Sequence, residues 1–272
     1  MKPDLQRRVQ RYGWDKAAEY YENSWQDQLK PAHDLLLEVS KIQTGEHILD
    51  IAAGTGLVTF QMSDKTGPTG KIVATDISDE MVNIGTKLTQ SKGIDHLKFE
   101  RMDAENLSYQ EGSFDLTTCA LGLMYFPDPD ASLAEMFRVL KSGGRAVTAV
   151  WGSRKKCGWS EIFPIVDKRV STDVCPMFFN LGEQDVIRYP FEKAGFTNIA
   201  IQKINTKLRY SSTEEAWKAS FLGGPVAMAY SRFDEDTKKE AQKEYINSIE
   251  PFKKENGYEI PGEFVICSGV KE

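Results

Sequence analysis

The sequence has few cysteines, no long apolar run and no excess of basic charge. No stretch approaches the ~20 apolar residues that a membrane-spanning helix needs, and residues 1–28 lack the apolar segment of a secretion signal. We therefore expect a soluble, cytoplasmic protein without a membrane span. The cysteines are far apart and form no C-x-x-C pair, which predicts reduced thiols and neither a disulfide framework nor a metal site. They are Cys119, Cys157, Cys175 and Cys267.

Charge and composition limit the function further. The chain has 34 Lys and Arg against 40 Asp and Glu, so no general basic field is present to hold a nucleic-acid backbone. Hydrophobic residues make up 40% and charged residues 27%, which is ordinary globular composition. Because 272 residues lie near the upper size for one hydrophobic core, we expect a single domain over residues 1–272 with insertions.

From residue 46 onward, short β-branched runs alternate with helical segments. This alternation is typical of right-handed βαβ crossovers and predicts a doubly wound α/β fold with a mainly parallel sheet. Residues 1–44 are expected to form a cap of two helices, the second beginning at Pro31, and residues 45–151 the core. The predicted core strands are residues 47–51, 71–76, 97–100, 114–119 and 146–150.

The regular alternation stops after Trp151. Residues 153–182 carry aromatics and prolines without a strand pattern, and residues 211–262 contain two helical stretches before residue 250. We predict that these two insertions and the N-terminal helices form a lid over the core. The remaining segments are predicted as a helix over 183–194 and strands over 198–204 and 263–268.

A glycine-rich turn, Asp50-Ile51-Ala52-Ala53-Gly54-Thr55-Gly56, follows the first predicted strand. An open α/β sheet binds nucleotides at this place, and the two glycines let the backbone approach a ligand closely. Such a turn alone also serves NAD, FAD and purely structural turns. Asp50, at the start of the turn, narrows the choice of cofactor, because a carboxylate here would repel a pyrophosphate and attract the ammonium group of a bound methionine. A cationic cofactor is favoured.

Two further acids follow the next two strands. Asp76 ends the second strand twenty residues after Gly56 (76 minus 56), a spacing that suits a carboxylate accepting both ribose hydroxyls and that NAD sites share. Asp103 follows the third strand, where it can accept from an adenine amino group while the Ala104 backbone N–H reaches the ring. The alternative is that these acids only cap the following helices, as Asp79 is expected to do.

At this point the sequence resembles the class I S-adenosylmethionine-dependent methyltransferases, and among them the small-molecule type related to the ubiquinone and menaquinone C-methyltransferases. The resemblance covers residues 45–151 well and only the general plan elsewhere. It implies a Rossmann-like, seven-stranded sheet that binds S-adenosylmethionine and releases S-adenosylhomocysteine. It rests on residues 47–56 (HILDIAAGTG), 73–81 (VATDISDEM), 101–107 (RMDAENL) and 114–128 (FDLTTCALGLMYFPD).

The resemblance also implies a set of cofactor-binding residues. The residues of the turn, with Leu121 after the fourth strand, would hold the methionine part of the cofactor. The residues after the second strand would hold the ribose, and the residues after the second and third strands would hold the adenine. Ala52 stands where the family usually has glycine, and its methyl group is expected to crowd the cofactor slightly. An A-x-x-Y pattern at 18–21 motivates the hypothesis that Tyr21 docks over the cofactor. The full set is Asp50, Ala52, Gly54, Gly56, Asp76, Ile77, Met81, Asp103, Ala104, Leu121 and Tyr21.

The acceptor is expected to be a small, apolar or aromatic organic molecule. Aromatics cluster in the N-terminal region and near the predicted rim, which suits such an acceptor or a cation held over ring faces. No residue is assigned a catalytic role, because methyl transfer needs a base only when the acceptor arrives protonated. Candidate bases are the three histidines, with His33 favoured, and the tyrosines at 20, 21 and 125; the aromatics are Trp14, Tyr20, Tyr21, Trp25, Tyr125, Phe126, Trp159, Phe163, Phe178 and Phe179.

Two other functions remain open from the residues. Tyr189 and Lys193 have the Y-x-x-x-K spacing of short-chain NAD(P)-dependent oxidoreductases, although the glycine pattern and the N-N-A-G segment of that family are missing. We expect both side chains to lie on a helix surface. A non-catalytic scaffold that binds S-adenosylmethionine is the other alternative, since a fold does not determine a function. The sequence leaves the oligomeric state undetermined.

Overall fold

An eight-stranded sheet forms the centre of the protein, in a computed structural model that describes residues 3–171, 174–175 and 177–272. The order across the sheet is β3-β2-β1-β4-β5-β8-β6, with β7 paired to β8 beside this path. Strands β1 to β5 run parallel, and β8 runs antiparallel to β5 and to β6. The strands are β1 (His47–Ile51), β2 (Lys71–Asp76), β3 (Leu97–Arg101), β4 (Phe114–Ala120), β5 (Leu140–Trp151), β6 (Thr197–Tyr210), β7 (Lys253–Lys254) and β8 (Gly257–Val270).

Helices separate most of the parallel strands and cover the sheet, while a loop without a helix joins β3 to β4. The predicted doubly wound α/β fold is thereby confirmed. The order of strands reverses between β1 and β4, and this switch point is where open α/β sheets bind ligands. The helices are α1 (Pro3–Ser40), α2 (Thr59–Thr66), α3 (Asp79–Ser91), α4 (Pro129–Val139), α5 (Ile162–Asp167), α6 (Arg188–Ala194), α7 (Thr213–Phe221), α8 (Ala227–Tyr230) and α9 (Glu235–Ile249).

Several strands are longer than their hydrophobic runs predicted. Strands β6 and β8 pair from Thr197↔Val270 to Tyr210↔Tyr258, so the ladder continues where the side-chain pattern has ended. Residues 257–262, predicted within the second insertion, therefore belong to β8. The predicted count of seven omitted β7, whose two residues pair with Gly257 and Tyr258 and have no apolar run of their own.

The N-terminal region is one helix, not the two that were predicted. Pro31 lies inside α1. Contacts in the two turns before this proline anchor the helix to distant segments: the Trp25 indole N–H donates to the Gly223 carbonyl at 2.9 Å, and Gln28 exchanges hydrogen bonds with both backbone groups of Arg209. Tertiary packing thus outweighs the hydrogen bond that a proline removes from a helix interior.

Other helix predictions also need correction. The helix predicted over 183–194 is confined to α6, and the two predicted between 211 and 250 are three. His33 does not begin a helix but lies buried in the middle of α1. The N-cap of α3 is Ser78, which accepts from the Met81 N–H at 3.1 Å, whereas Asp79 forms ion pairs with Arg11 and Arg101.

No helix in residues 3–171, 174–175 and 177–272 has the length and hydrophobicity to cross a membrane. Within those residues, no group of three or more His, Cys, Asp or Glu side chains is arranged to hold a metal ion. All four cysteines are free and buried.

Candidate functional site

A cavity, called here the cofactor cavity, opens at the carboxyl ends of β1, β2, β3 and β4. It contains about 740 Å³ of space between protein atoms, part of it open to solvent. The segments that follow these strands form one wall, and side chains from the first half of α1 form the other. Its lining is Arg7, Gln10, Trp14, Tyr21, Ile51, Ala52, Gly54, Thr75, Asp76, Ile77, Met81, Met102, Asp103, Ala104, Glu105, Ala120, Leu121, Gly122, Tyr125, Phe126 and Pro127.

The cavity brings together nine of the eleven residues predicted to bind the cofactor. These nine come from α1 and from the carboxyl ends of β1 to β4 with the segments that follow them, which are far apart in sequence. Two predicted residues, Asp50 and Gly56, are not part of the lining. The nine are Tyr21, Ala52, Gly54, Asp76, Ile77, Met81, Asp103, Ala104 and Leu121.

Asp50 lies beneath the glycine-rich turn and is fully buried. Its two carboxylate oxygens accept from hydroxyl groups, Oδ2 from Thr59 at 2.6 Å and Oδ1 from Thr118 at 2.8 Å. Burial raises the pKa of this carboxyl to about 6, against the hydrogen bonds from the two threonines, which lower it. Any attraction of Asp50 for a ligand ammonium would therefore act through the turn and not by direct contact.

Asp76 ends β2 and, unlike Asp50, lines the cavity. Its Oδ2 accepts from the Gly54 N–H at 2.9 Å and its Oδ1 from the Ser78 N–H at 2.9 Å, so the carboxylate holds both neighbouring turns. Each oxygen keeps lone-pair capacity for a further donor, which a pair of ribose hydroxyls would use. Burial raises the pKa of Asp76 to about 6, and the backbone N–H groups oppose this shift.

The raised pKa of Asp76 predicts that ligand binding weakens in acid. A protonated carboxyl accepts hydrogen bonds poorly, so S-adenosylhomocysteine should bind about tenfold more weakly at pH 5 than at pH 8. Isothermal titration across this range would measure the change. The Asp76→Asn variant should lose most of the pH dependence; an equally steep dependence in that variant would assign it to another group.

The turn itself contains a strained residue. Ala52 has a φ of 55°, in the left-handed region that favours glycine, and Gly54 has a φ of 58°. A Cβ atom at Gly54 would lie 3.5 Å from Cε1 of Tyr21 and 4.0 Å from Sδ of Met81, two lining residues, so it would project into the cavity. The cost at Ala52 is about 1–2 kcal/mol, which is strain of the kind found at binding sites.

Ala52→Gly is expected to relieve this strain. Since glycine also raises the entropy of the unfolded chain, the net gain in the free energy of unfolding should be about 0.5–1 kcal/mol, measured by chemical denaturation. Ala53→Gly is the matched control, because Ala53 has no positive φ and should lose stability on the same substitution. A loss of stability in both variants would show that the Ala52 methyl group contributes more by packing than it costs by strain.

Gly56 has a packing role instead of a ligand-facing one. Its φ is 102°, and a Cβ atom there would lie 2.7 Å from Phe60 and 2.9 Å from Phe99. The centroids of these two rings, one on α2 and the other on β3, lie 6.1 Å apart. The positive φ and the close approach of the two rings therefore both disfavour any side chain at position 56.

Arg7 is a cavity residue that the sequence prediction missed. Its guanidinium forms an ion pair with Asp103, with Nε 3.0 Å from Oδ2, and it also contacts Glu105 and Asp4. These contacts tie the first turns of α1 to the loop after β3. A single arginine in a charged helix has no pattern that marks it, because only the long-range packing of α1 brings it to this loop.

A second, smaller cavity, called here the aromatic chamber, adjoins the first. It contains about 330 Å³ of space between protein atoms. Four of its residues, Trp14, Tyr21, Leu121 and Tyr125, also line the cofactor cavity, so the two spaces share a wall. Its lining is Trp14, Tyr21, Trp25, Leu29, Leu121, Met124, Tyr125, Trp151, Trp159 and Pro225.

Comparison with known proteins identifies the family of this fold and cavity. The sequence model of the ubiE/COQ5 methyltransferase family matches residues 26–163, which include β1 to β5 and the glycine-rich turn. The chain belongs to this family. The prediction of a class I S-adenosylmethionine-dependent methyltransferase family is thereby confirmed.

One curated relative shows how far the sequence likeness extends. The ubiquinone/menaquinone biosynthesis C-methyltransferase UbiE of Saccharophagus degradans is 41% identical over 110 residues, which are 40% of this chain and 44% of that protein. The match therefore spans less than half the length of this relative. The family model ends at residue 163, so β6, α7, α9 and β8 lie outside the residues that it matches.

Solved structures extend the likeness in fold to most of the chain. Phosphoethanolamine N-methyltransferase 2 of Haemonchus contortus, solved with S-adenosyl-L-methionine, has a TM-score of 0.59 at 16% identity over 89% of this chain and 52% of that one. The [4+2]-cyclase SpnF has a TM-score of 0.59 at 18% identity over 91% of this chain and 82% of that one. At these identities the likeness concerns the fold alone.

The candidate bases of this ubiE/COQ5 family member are distributed unevenly about the cavities. None of the three histidines lines either cavity in the described ranges, and burial lowers the pKa of His33 to about 4. His96 bonds Ser63 on α2, and Tyr20 is 42% exposed. The phenols that remain are Tyr21 and Tyr125, whose pKa values burial raises above their usual range, so they stay protonated at neutral pH.

The residues of the oxidoreductase alternative lie away from the cofactor cavity. Tyr189 is 65% exposed on α6, and Lys193 pairs with Asp130 at 2.6 Å on the surface. Neither residue is among those that line the cavity. The expectation that both lie on a helix surface is confirmed.

Proposed function

We propose that this protein binds S-adenosylmethionine in the cofactor cavity and transfers its methyl group to a small apolar or aromatic molecule in the aromatic chamber. The observation that carries the proposal is the shared wall of the two cavities, formed by Trp14, Tyr21, Leu121 and Tyr125. Ligands in the two spaces would lie next to each other. Family membership supports the same chemistry, whereas the acceptor is inferred from the chamber alone.

The residues of the cofactor cavity suit S-adenosylmethionine in polarity and shape. Asp76 supplies a carboxylate for the ribose hydroxyls, and Gly54 leaves space beside it. Ile77 and Met81 provide apolar surface for the adenine ring. Asp103 would accept from the adenine amino group, although its carboxylate is already paired with Arg7, so adenine would share this acid with α1.

S-adenosylmethionine, when bound, supplies a methyl group on a positively charged sulfur. The new bond would form between the acceptor atom and the methyl carbon as the carbon–sulfur bond breaks and its electron pair stays on sulfur. The positive charge passes from sulfur to the acceptor, and an uncharged acceptor then releases it as a proton to solvent, so alignment and exclusion of water during the transfer are the main contributions that the chain can make. Trp14 supports both, since its ring packs edge-on against Tyr21 at 5.8 Å and Tyr125 at 5.2 Å between the two spaces.

We also propose that the whole chain acts as one domain in which α1 and the two insertions cover the core. Trp159, from the insertion at 153–182, and Pro225, from the insertion at 211–262, both line the aromatic chamber. Residues 172, 173 and 176 of the first insertion lie outside the described residues. Trp159 lies within the residues that the family model matches, whereas Pro225 lies beyond them, so a segment outside the matched region supplies part of the chamber, which supports an acceptor specific to this chain.

The proposal is tested by isothermal titration followed by a transfer assay. S-adenosylmethionine and S-adenosylhomocysteine should each bind with one-to-one stoichiometry, whereas NADH and NADPH should give no saturable signal. Failure of both sulfur compounds to bind would reject the cofactor. Transfer of labelled methyl to a panel of aromatic phenols, amines and activated carbon acids would then separate the enzyme from a scaffold, which binds cofactor and methylates none of them.

A further inference from the structure

Aromatic rings form most of the described lining of the aromatic chamber, and four of them are indoles. Trp25, Trp151 and Trp159 pack against one another, with ring centroids 4.8 Å apart for Trp151 and Trp159 and just over 6 Å for the pairs with Trp25. Trp159 also packs against Phe163, 5.8 Å away, and Phe178, 5.6 Å away. Such packing fixes the orientation of each ring, so polar atoms on these rings occupy defined positions.

Two of these indoles differ in their hydrogen bonding. The N–H of Trp25 donates to the Gly223 carbonyl at 2.9 Å. Trp159 is 3% exposed, and its N–H has no hydrogen-bond partner anywhere in the described residues. Buried polar groups are nearly always paired in folded proteins, and an unpaired donor is costly. A bound molecule with an acceptor atom would remove this cost.

The lining of the chamber also limits the charge of its occupant. None of its ten described residues is Asp, Glu, Lys, Arg or His. The only titratable groups among them are the phenols of Tyr21 and Tyr125, which are held protonated by burial. An anionic acceptor would have to give up its hydration here without a counter-ion, which strongly disfavours it, and a cationic acceptor would have only ring faces in exchange.

We propose that the methyl acceptor is an uncharged planar molecule with a carbonyl, ether or hydroxyl oxygen, and that the indole N–H of Trp159 donates a hydrogen bond to this oxygen. The proposal rests on the proposed function, because it takes the chamber as the acceptor site. Trp159 then selects oxygenated acceptors over hydrocarbons of the same shape. A site that hydrogen-bonds its ligand discriminates in this way because the analogue without the oxygen leaves the donor unpaired.

Two probes of nearly equal shape test this selection. The ketone 1-indanone carries one acceptor oxygen and no donor, and indane is the corresponding hydrocarbon. Each is titrated calorimetrically into protein saturated with S-adenosylhomocysteine, and the ratio of the two Kd values, indane over indanone, is the readout. Trp159→Phe should lower this ratio by about 5-fold relative to the unmodified chain, the effect of one neutral hydrogen bond.

Trp25→Phe is the matched control. It makes the same substitution in the same chamber, but the N–H that it removes is already bonded to Gly223. Both affinities should fall in this variant while their ratio stays unchanged. The proposal would be overturned if Trp159→Phe left the ratio unchanged, or if both variants lowered it equally. Trp159 would then contribute only to the shape of the chamber. Absence of S-adenosylhomocysteine binding in the unmodified chain would instead reject the proposed function.

Discussion

Replacing Asp76 with alanine should weaken the binding of S-adenosylhomocysteine by about 30-fold to 1,000-fold, or about 2–4 kcal/mol. The carboxylate would lose its charge-assisted bonds to the ribose hydroxyls. It would also release the Gly54 and Ser78 N–H groups, 2.9 Å from its oxygens, which hold the turns on either side of the cavity. Isothermal titration of the purified variant would measure the loss.

Two further variants separate these causes. Asp76→Asn keeps one acceptor oxygen of similar geometry and should lose less affinity than Asp76→Ala. Asp79→Asn is the control for charge, because Asp79 lies three residues away, pairs with Arg11 and Arg101 and does not line the cavity. An unchanged affinity in Asp76→Ala would reject Asp76 as the ribose ligand, whereas equal losses in the variants at 76 and 79 would indicate only a general electrostatic effect.

The core of the fold could be predicted from local sequence because its signals are local. Strands β1, β2 and β4 are buried, short and β-branched, so each appears as an apolar run that ends at an acid or a small residue. The acids at the ends of β1 and β2 mark the correct edge of the sheet. Together with the glycine-rich turn and Asp103, they predicted the place of the cofactor cavity.

The remaining features depend on contacts between distant segments. The continuity of α1 through Pro31 depends on Gly223 and Arg209, about two hundred residues away, and no local pattern can indicate such partners. The length of β8 depends on pairing with β6, not on its own hydrophobicity. The helices and strands after Trp151 were therefore predicted with incorrect first and last residues.

The same distinction applies to the site. Asp50 and Gly56 belong to the motif, but one lies under the turn and the other packs against rings, because a motif gives residue type and spacing without side-chain direction. The aromatic chamber combines Trp14, Trp151 and Pro225 from three distant segments. The abundance of aromatics was visible in the sequence, but which of them meet was not.

The two glycines of the turn should lose different amounts of stability on substitution by alanine. Gly56→Ala should lower the free energy of unfolding by about 3 kcal/mol, because φ is 102° and the new Cβ would lie 2.7 Å from Phe60. Gly54→Ala should lower it by only about 1–2 kcal/mol, since φ is 58° and the nearest atom is 3.5 Å away. Chemical denaturation of both variants would measure these losses.

Affinity for S-adenosylhomocysteine should follow the reverse order. The Cβ of Gly54→Ala would enter the cofactor cavity beside Tyr21 and Met81, and overpacking of this kind should weaken binding about tenfold. Under conditions in which it is folded, the Gly56→Ala variant should bind S-adenosylhomocysteine with nearly the affinity of the unmodified chain.

Gly93→Ala provides the control for backbone strain, because its φ of 62° nearly equals that of Gly54 while no atom lies within 4 Å of the new Cβ. It should match Gly54→Ala in stability and leave the affinity unchanged. Equal affinities for the variants at 54 and 93 would mean that the ligand does not pass beside Gly54, and the cofactor would then have to lie closer to the loop after β3.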